Sequence, residues 1–267
     1  MLLRIRIIYI LLLILFLSSC NKESFDRVLK SDDYSLKYRK AKEYYKEGKY
    51  SKAMDLFEQL IPHEKGKEHG AEVFFLYAMC NYQIGDYLIA AHYFKKFAEE
   101  YPTSSYAEQA LFMSAYCYYL ESPRWSLDQE ATKDAITQFQ IFLSRYPDSK
   151  FVDSCNTLVD ALNYKLEKKA FMNAKLYFDL GYYKAAGIAL ENALLDYPNT
   201  PFAEDILYYE TKANYLYAMG SIRTKQKERF QKTIDKYLTY KEYYPNGKYA
   251  KELEKIYQHS LKKIKNL

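Results

Sequence analysis

The chain is 267 residues long, 49% of them apolar, with 39 Lys and Arg against 34 Asp and Glu for a formal charge of +5. That apolar share excludes a mostly disordered chain, and the length suits one large domain or a continuous repeat array. Eight Gly and seven Pro are too few to punctuate a β-sandwich or a nucleotide-binding α/β fold at every tenth residue or so, so the long Ala/Leu/Lys/Glu/Tyr stretches predict an all-α chain. The 31 tyrosines suit amphipathic helix faces, ring half buried and hydroxyl wet.

Residues 1–19 read as a signal peptide. Arg4 and Arg6 precede an uninterrupted apolar run over 7–17, too short to span a bilayer and right for a secretory segment. The run ends in Leu17-Ser18-Ser19-Cys20, which resembles the bacterial lipobox: small residues before the scissile bond and a thiol to take a diacylglyceryl group. Cys20 is therefore the expected lipidation site, residues 20–33 the lipidated N-terminus and linker, and the several acyl chains of a lipoprotein a stable membrane anchor. Cys80, Cys117 and Cys155 remain. An odd number without C-x-x-C spacing points to buried core thiols, not to a disulfide framework.

From residue 34 onward the chain repeats. Tyr-Pro recurs at Tyr101-Pro102, Tyr146-Pro147, Tyr197-Pro198 and Tyr244-Pro245, each followed by a polar pair or triplet and an aromatic: Tyr106, Phe151, Phe202 and Tyr249. Pro stops one helix, and the Ser, Thr, Asp or Asn after it is expected to cap the next. The aromatic is expected to pack where the two helices meet. A second landmark is Gly-x-Tyr with Ala three residues on: Gly48 with Ala53, Gly85 with Ala90, Gly181 with Ala186. Gly turns the chain and Ala lets two helices approach closely. This pattern resembles the tetratricopeptide repeat. It predicts a superhelical solenoid of about five helix pairs with a C-terminal capping helix over 250–265. Repeats 1–3 occupy residues 34–162, and repeats 4–5 with the cap occupy 163–267. The third repeat is stretched by about eight residues around Ser122-Pro123-Arg124-Trp125, and the fifth through Gly220 to Arg229.

No chemistry-bearing motif interrupts the array. The four His are scattered, with His63 and His69 in a polar stretch, 62–70, read as a solvated loop. No nucleophile elbow, phosphate loop or dinucleotide fingerprint occurs. The expectation is a binding protein: not an enzyme, with no metal and no cofactor. Counting back from each turn, the inward positions of the first three A helices are Tyr38, Lys42 and Tyr45; Phe75, Met79 and Tyr82; Phe112, Tyr116 and Tyr119. Such an aromatic groove suits an extended peptide with aromatic side chains. Residues 222–267 hold 13 Lys and Arg against 5 Asp and Glu, a formal +8. In an exported protein that meets little nucleic acid, such a basic end suits an acidic protein face or anionic lipid headgroups, with Arg223, Lys225, Lys227 and Arg229 as the expected partner-docking residues.

The lipobox, the five repeats and the Tyr-Pro strings, together with Asp128-Gln129-Glu130-Ala131-Thr132 and Lys227-Glu228-Arg229-Phe230, resemble the BamD family, lipoprotein subunits of the outer-membrane β-barrel assembly (BAM) machine. The resemblance covers nearly all of the chain after residue 20, although its Tyr and Lys content is higher than expected of the proteobacterial members. It implies an outer-membrane, periplasm-facing scaffold. Its N-terminal repeats would receive unfolded outer-membrane proteins, and its C-terminal repeats would dock on a BamA-like barrel subunit, with other lipoproteins of the complex as further partners. Two other readings use the same features: a repeat lipoprotein adaptor for envelope or cell-division factors, and a helical carbohydrate-binding surface lipoprotein. The single Trp disfavours the last, since sugar platforms favour Trp.

Overall fold

The computed structural model describes residues 24–267; the signal-peptide and lipidation expectations, Cys20 included, lie outside the described residues. Those residues form twelve helices and no strand. In chain order they are α1 (Phe25–Leu29), α2 (Tyr34–Lys46), α3 (Tyr50–Glu64), α4 (Gly70–Ile84), α5 (Tyr87–Glu100) and α6 (Ala107–Glu121). They continue with α7 (Glu130–Arg145), α8 (Val152–Asp179), α9 (Tyr183–Asp196), α10 (Ala203–Met219), α11 (Arg223–Tyr243) and α12 (Ala250–Lys265). Helices α2 to α11 make five consecutive pairs, and α12 follows as the expected cap, packed on α11 and α10. The chain divides into two compact units. One runs to Glu121 and takes in Gln138–Ser149; the other is Ser122–Thr137 with Lys150–Leu267. The boundary expected after residue 162 falls inside the 28-residue α8.

The landmarks act at the places the pattern assigns. Gly48, Gly85 and Gly181 all have φ between +74° and +90°, the left-handed region that costs other residues about 1–2 kcal/mol. Each closes the same helix end. The glycine N–H donates three residues back, to Tyr45, Tyr82 or Phe178, and the next N–H donates five residues back, to Tyr44, Asn81 or Tyr177. These bonds satisfy carbonyls that the helix itself leaves open. The alanines that follow, Ala53, Ala90 and Ala186, are fully buried, as are Phe57, Phe94 and Leu190 one turn on. Each such large apolar side chain contributes about 1.5–3 kcal/mol by leaving water.

The Tyr-Pro strings behave differently from expectation in one respect. Phe151, Phe202 and Tyr249 occupy the positions before α8, α10 and α12, and none of those helix starts has a side-chain cap. The polar residue instead closes a tight turn one step earlier: Ser104 Oγ accepts from Tyr106 N at 3.2 Å, and Thr200 Oγ1 from Phe202 N at 3.3 Å. A short side chain reaches the N–H two residues on more easily than the helix start beyond it. Tyr106, Phe202 and Tyr249 do pack between helices. Tyr106 stacks on Phe75, Phe202 on Phe171 and Tyr249 on Tyr208, with centroids 4.7, 5.4 and 3.8 Å apart. In the fourth string a Cβ at Gly247 would crowd Glu204 Oε1, the Tyr240 hydroxyl and Tyr244 Cβ, so a larger residue there must displace them.

Two further differences come from tertiary packing. The stretch 20–33 contains α1, whose Val28 is buried against the first pair; five residues are too few to show a period. The insertion after α6 is also ordered. Gln129 Nε2 reaches the carbonyls of Arg124, Leu127 and Asp128 at 3.0–3.1 Å, and its Oε1 accepts from the buried Thr132 hydroxyl at 2.8 Å. From α8, Lys165 Nζ donates to Ser122 O and Oγ, Lys169 Nζ to Leu127 O at 2.6 Å, and Lys168 lies over the Trp125 ring.

Candidate docking surfaces

Helices α2, α4 and α6 carry the nine positions expected to line a groove, and the structure gathers six of them into two groups. In the first, Tyr38 and Lys42, one turn apart on α2, both reach Glu72 in the first turn of α4; Lys42 Nζ lies 2.7 Å from its Oε1, and the Tyr38 hydroxyl donates to its Oε2. The helix N-terminus favours an acid at that position. Burial alone would raise the Glu72 carboxyl, but hydrogen bonds from Lys42 and Tyr38 outweigh it and hold it below the usual carboxylate value. Burial, reinforced by Glu72, pushes the Tyr38 phenol up.

The stretch around this cluster is in part the solvated loop read from the sequence, since 65–69 are exposed turn residues and both histidines are exposed, but its first residues are helical. Helix α3 continues through Pro62 to Glu64, the His63 ring stacks on Tyr34 at 3.6 Å, and His69 stacks on Tyr38 at 4.5 Å. A flat imidazole covers a tyrosine face that α2 would otherwise leave wet. Neither Glu72 nor the two histidines had been assigned a role in sequence. A lone acid at a helix start was the signal available for Glu72; nothing local marked the histidines.

The second group is a ladder of rings. Phe112, Tyr116 and Tyr119 run along α6 with neighbouring centroids 6.1 and 5.8 Å apart, and Tyr82 of α4 joins at Tyr116, 6.5 Å away. All four are half-buried. Phe112 also packs edge-on to Phe142, 5.8 Å away. Tyr45 turns to Tyr50 at 5.5 Å, Met79 is half-buried, and Phe75 is 6% exposed, enclosed by Phe94, Phe97 and Tyr106. Phe75 is therefore a wall of the helix stack and not a surface anchor.

The four cations of the basic end divide as well. Arg223, Lys225 and Lys227 are exposed, with Lys225 3.5 Å from Glu228. Arg229 is half-buried: its guanidinium carbon lies 4.0 Å over the Tyr217 ring, and one N–H donates to Ser221 Oγ. Farther along α11, Lys236 lies between Glu191, 2.8 Å away, and the buried Glu210, 2.6 Å away. Burial pushes the Glu210 carboxyl above its usual value. Among the described residues no group of three or more His, Cys, Asp or Glu is placed to hold a metal ion, and no helix is long and apolar enough to cross a membrane.

Successive helix pairs, closed by glycine and faced with half-buried tyrosines, place the chain among the helical-repeat proteins. It belongs to the YfiO family of outer membrane lipoproteins, whose model it matches over residues 31–230. Among curated relatives it is similar to the outer membrane protein assembly factor BamD of Caulobacter vibrioides, 23% identical over 139 residues, which are 52% of this chain and 46% of that protein. It is also similar to the putative outer membrane protein assembly factor BamD of Aquifex aeolicus, 27% identical over 200 residues, 74% of this chain and 65% of that protein. The chain thus spans about half and just under two thirds of those relatives' lengths. A solved TPR2AB-domain:pHSP90 complex of yeast Sti1 aligns with 85% of this chain and 98% of its own at 15% identity and a TM-score of 0.39.

Proposed function

We propose that the chain is a lipid-anchored scaffold of the outer-membrane β-barrel assembly machinery, acting by binding and not by catalysis. The observation that carries this reading is the family match over residues 31–230, and the names of the two relatives support it. In this reading Cys20 takes the lipid and holds the repeats at the periplasmic face of the outer membrane.

The ring ladder of Tyr82, Tyr116, Phe112 and Tyr119, with Tyr38, Lys42, Tyr45 and Met79 on the neighbouring helices, receives aromatic-bearing segments of unfolded barrel proteins. Phe75 supports that surface from within. Arg223, Lys225, Lys227 and Arg229 meet an acidic face of a BamA-like barrel subunit. Their contribution is chiefly to association rate and salt sensitivity, because exposed cations act over a Debye length of about 8–10 Å.

The test is co-purification from detergent-solubilised outer membranes. A large β-barrel protein with periplasmic domains is expected to accompany the tagged chain, and to be lost at high salt or in the Arg223→Glu/Arg229→Glu variant. Its absence from the wild-type preparation sinks the reading. Cys20→Ser is expected to leave a helical protein that no longer sediments with outer membranes; unchanged sedimentation removes the anchor.

A further inference from the structure

The unit holding Lys150–Leu267 has an open cavity of about 690 Å³, walled by Tyr177, Tyr182, Ile188, Leu216 and Tyr217, within the range of volumes in which ligands are held. Its walls are apolar side chains that the fold leaves in water: Tyr182 is 62% and Ile188 49% exposed. Exposed Leu180, Met219 and Ile222 adjoin the lining residues in sequence. A cluster of this kind at the ends of α8 and α10 is unusual for a soluble surface and marks an interaction site.

A second recess of about 300 Å³ shares Lys184, Ile188 and Tyr217 with the first, and adds Arg229, Lys232, Glu228 and Asn214. Three cations thus face one acid at the rim of an apolar cavity. Glu228 is 3.5 Å from Lys225, and Lys232 is 3.7 Å from Glu191, both at the edge. Arg229 lies deeper, oriented by the Tyr217 ring and Ser221. A guanidinium so held keeps further N–H donors in a plane suited to a carboxylate.

We propose that this double recess binds a partner protein segment in which a large apolar side chain stands within a few residues of one or more carboxylates. The apolar side chain enters between Tyr182, Ile188 and Leu216, and a carboxylate lies on Arg229 and Lys184. The net positive charge of the inner recess selects an acidic segment, and the recession of Arg229 between helices favours a narrow chain over a flat lipid surface. The inference rests on the reading of this end of the chain as a docking surface for a protein partner, and adds the chemistry of the segment it takes.

The experiment uses the full chain in zwitterionic nanodiscs and a labelled synthetic peptide with a Leu-Phe pair flanked by Glu, followed by fluorescence anisotropy. Binding is expected, and about tenfold weaker when the Leu-Phe pair is replaced by Ser or when the Glu residues are replaced by Lys. Ile188→Lys is expected to lose at least tenfold and Ile188→Leu to stay within about twofold, while Arg229→Gln weakens binding and flattens its salt dependence. Equal binding of all three peptides by the wild-type chain, or unchanged affinity in both Ile188→Lys and Arg229→Gln, overturns the proposal. Displacement by phosphatidylglycerol vesicles as effective as by unlabelled peptide assigns the recess to lipid and overturns it too. Failure here with the barrel subunit still co-purifying removes the recess alone, whereas loss of co-purification with peptide binding intact removes the assembly role.

Discussion

Lys236 shows how much one side chain controls at the residue scale. Its ammonium is the partner of Glu210, only 2% exposed, and it also holds Glu191. Removing it leaves a carboxylate in the core, so Lys236→Met is expected to cost about 3–5 kcal/mol at neutral pH. The pH dependence has a definite sign. Burial raises the folded carboxyl of Glu210 above the usual 4.5, and without Lys236 it rises further. The protonated acid is tolerated, so the variant loses least at low pH and progressively more as pH rises above 4.5. Urea unfolding at pH 5 and pH 8 measures this, and an equal deficit at both sinks the account. At Gly181, φ is +80° and open space surrounds the missing Cβ. Gly181→Ala is therefore expected to cost the backbone strain alone, about 1–2 kcal/mol, read from the same unfolding curves.

At the scale of the element, the link between α6 and α7 is the clearest case. Gln129 alone bonds three carbonyls of its own loop, so Gln129→Ala strands acceptors that the buried amide had satisfied, at about 1–3 kcal/mol. Limited proteolysis is expected to cut the variant between Ser122 and Gln129 and to spare the wild type; identical digestion of the two removes the bracing role. The helix pairs themselves were legible beforehand. Ala90 was placed at a helix–helix contact by its distance from Gly85, and it is fully buried. Ala90→Trp is accordingly expected to overpack the second pair and cost about 1–3 kcal/mol. A wild-type melting curve contradicts that register. Helix α1 and the bracing of the insertion were not legible, because neither has a period of its own. Both are held by residues distant in sequence, Val28 against the first pair and Lys165 and Lys169 from α8.

For the molecule as a whole, many buried tyrosines and thiols act in one direction. Burial pushes Cys80 and Cys117 up to about 12 and Cys155 to about 11. Burial with Glu204 beside it raises Tyr240 to about 12, and burial with Asp205 raises Tyr249 to about 12. Groups whose folded values are raised give stability that is complete below their unfolded values, near 9 for thiols and 10 for phenols, and lost as pH rises toward 12. The melting temperature is therefore expected to fall steeply between pH 9 and pH 12. Over the same range native thiols should resist alkylation until the chain unfolds. Rapid labelling of Cys80, Cys117 and Cys155 in the folded protein at pH 8 contradicts their burial.

The amino-acid sequence by itself determined the helical class, the five pairs, the cap and the buried thiols, because each depends on local spacing: glycine at a turn, alanine five residues on, proline after a helix end. It also drew the family resemblance that the match over residues 31–230 supports. Only the tertiary structure decided which aromatic side chains are wall and which are surface, since Phe75 and Phe112 occupy equivalent repeat positions and differ in what packs over them. It likewise joined Tyr38 and Lys42 to Glu72, Lys236 to Glu210, and Arg229 to the face of Tyr217. Those contacts bring together side chains 12 to 34 residues apart in the chain, and their formation depends on how neighbouring helices stack, which no local period encodes.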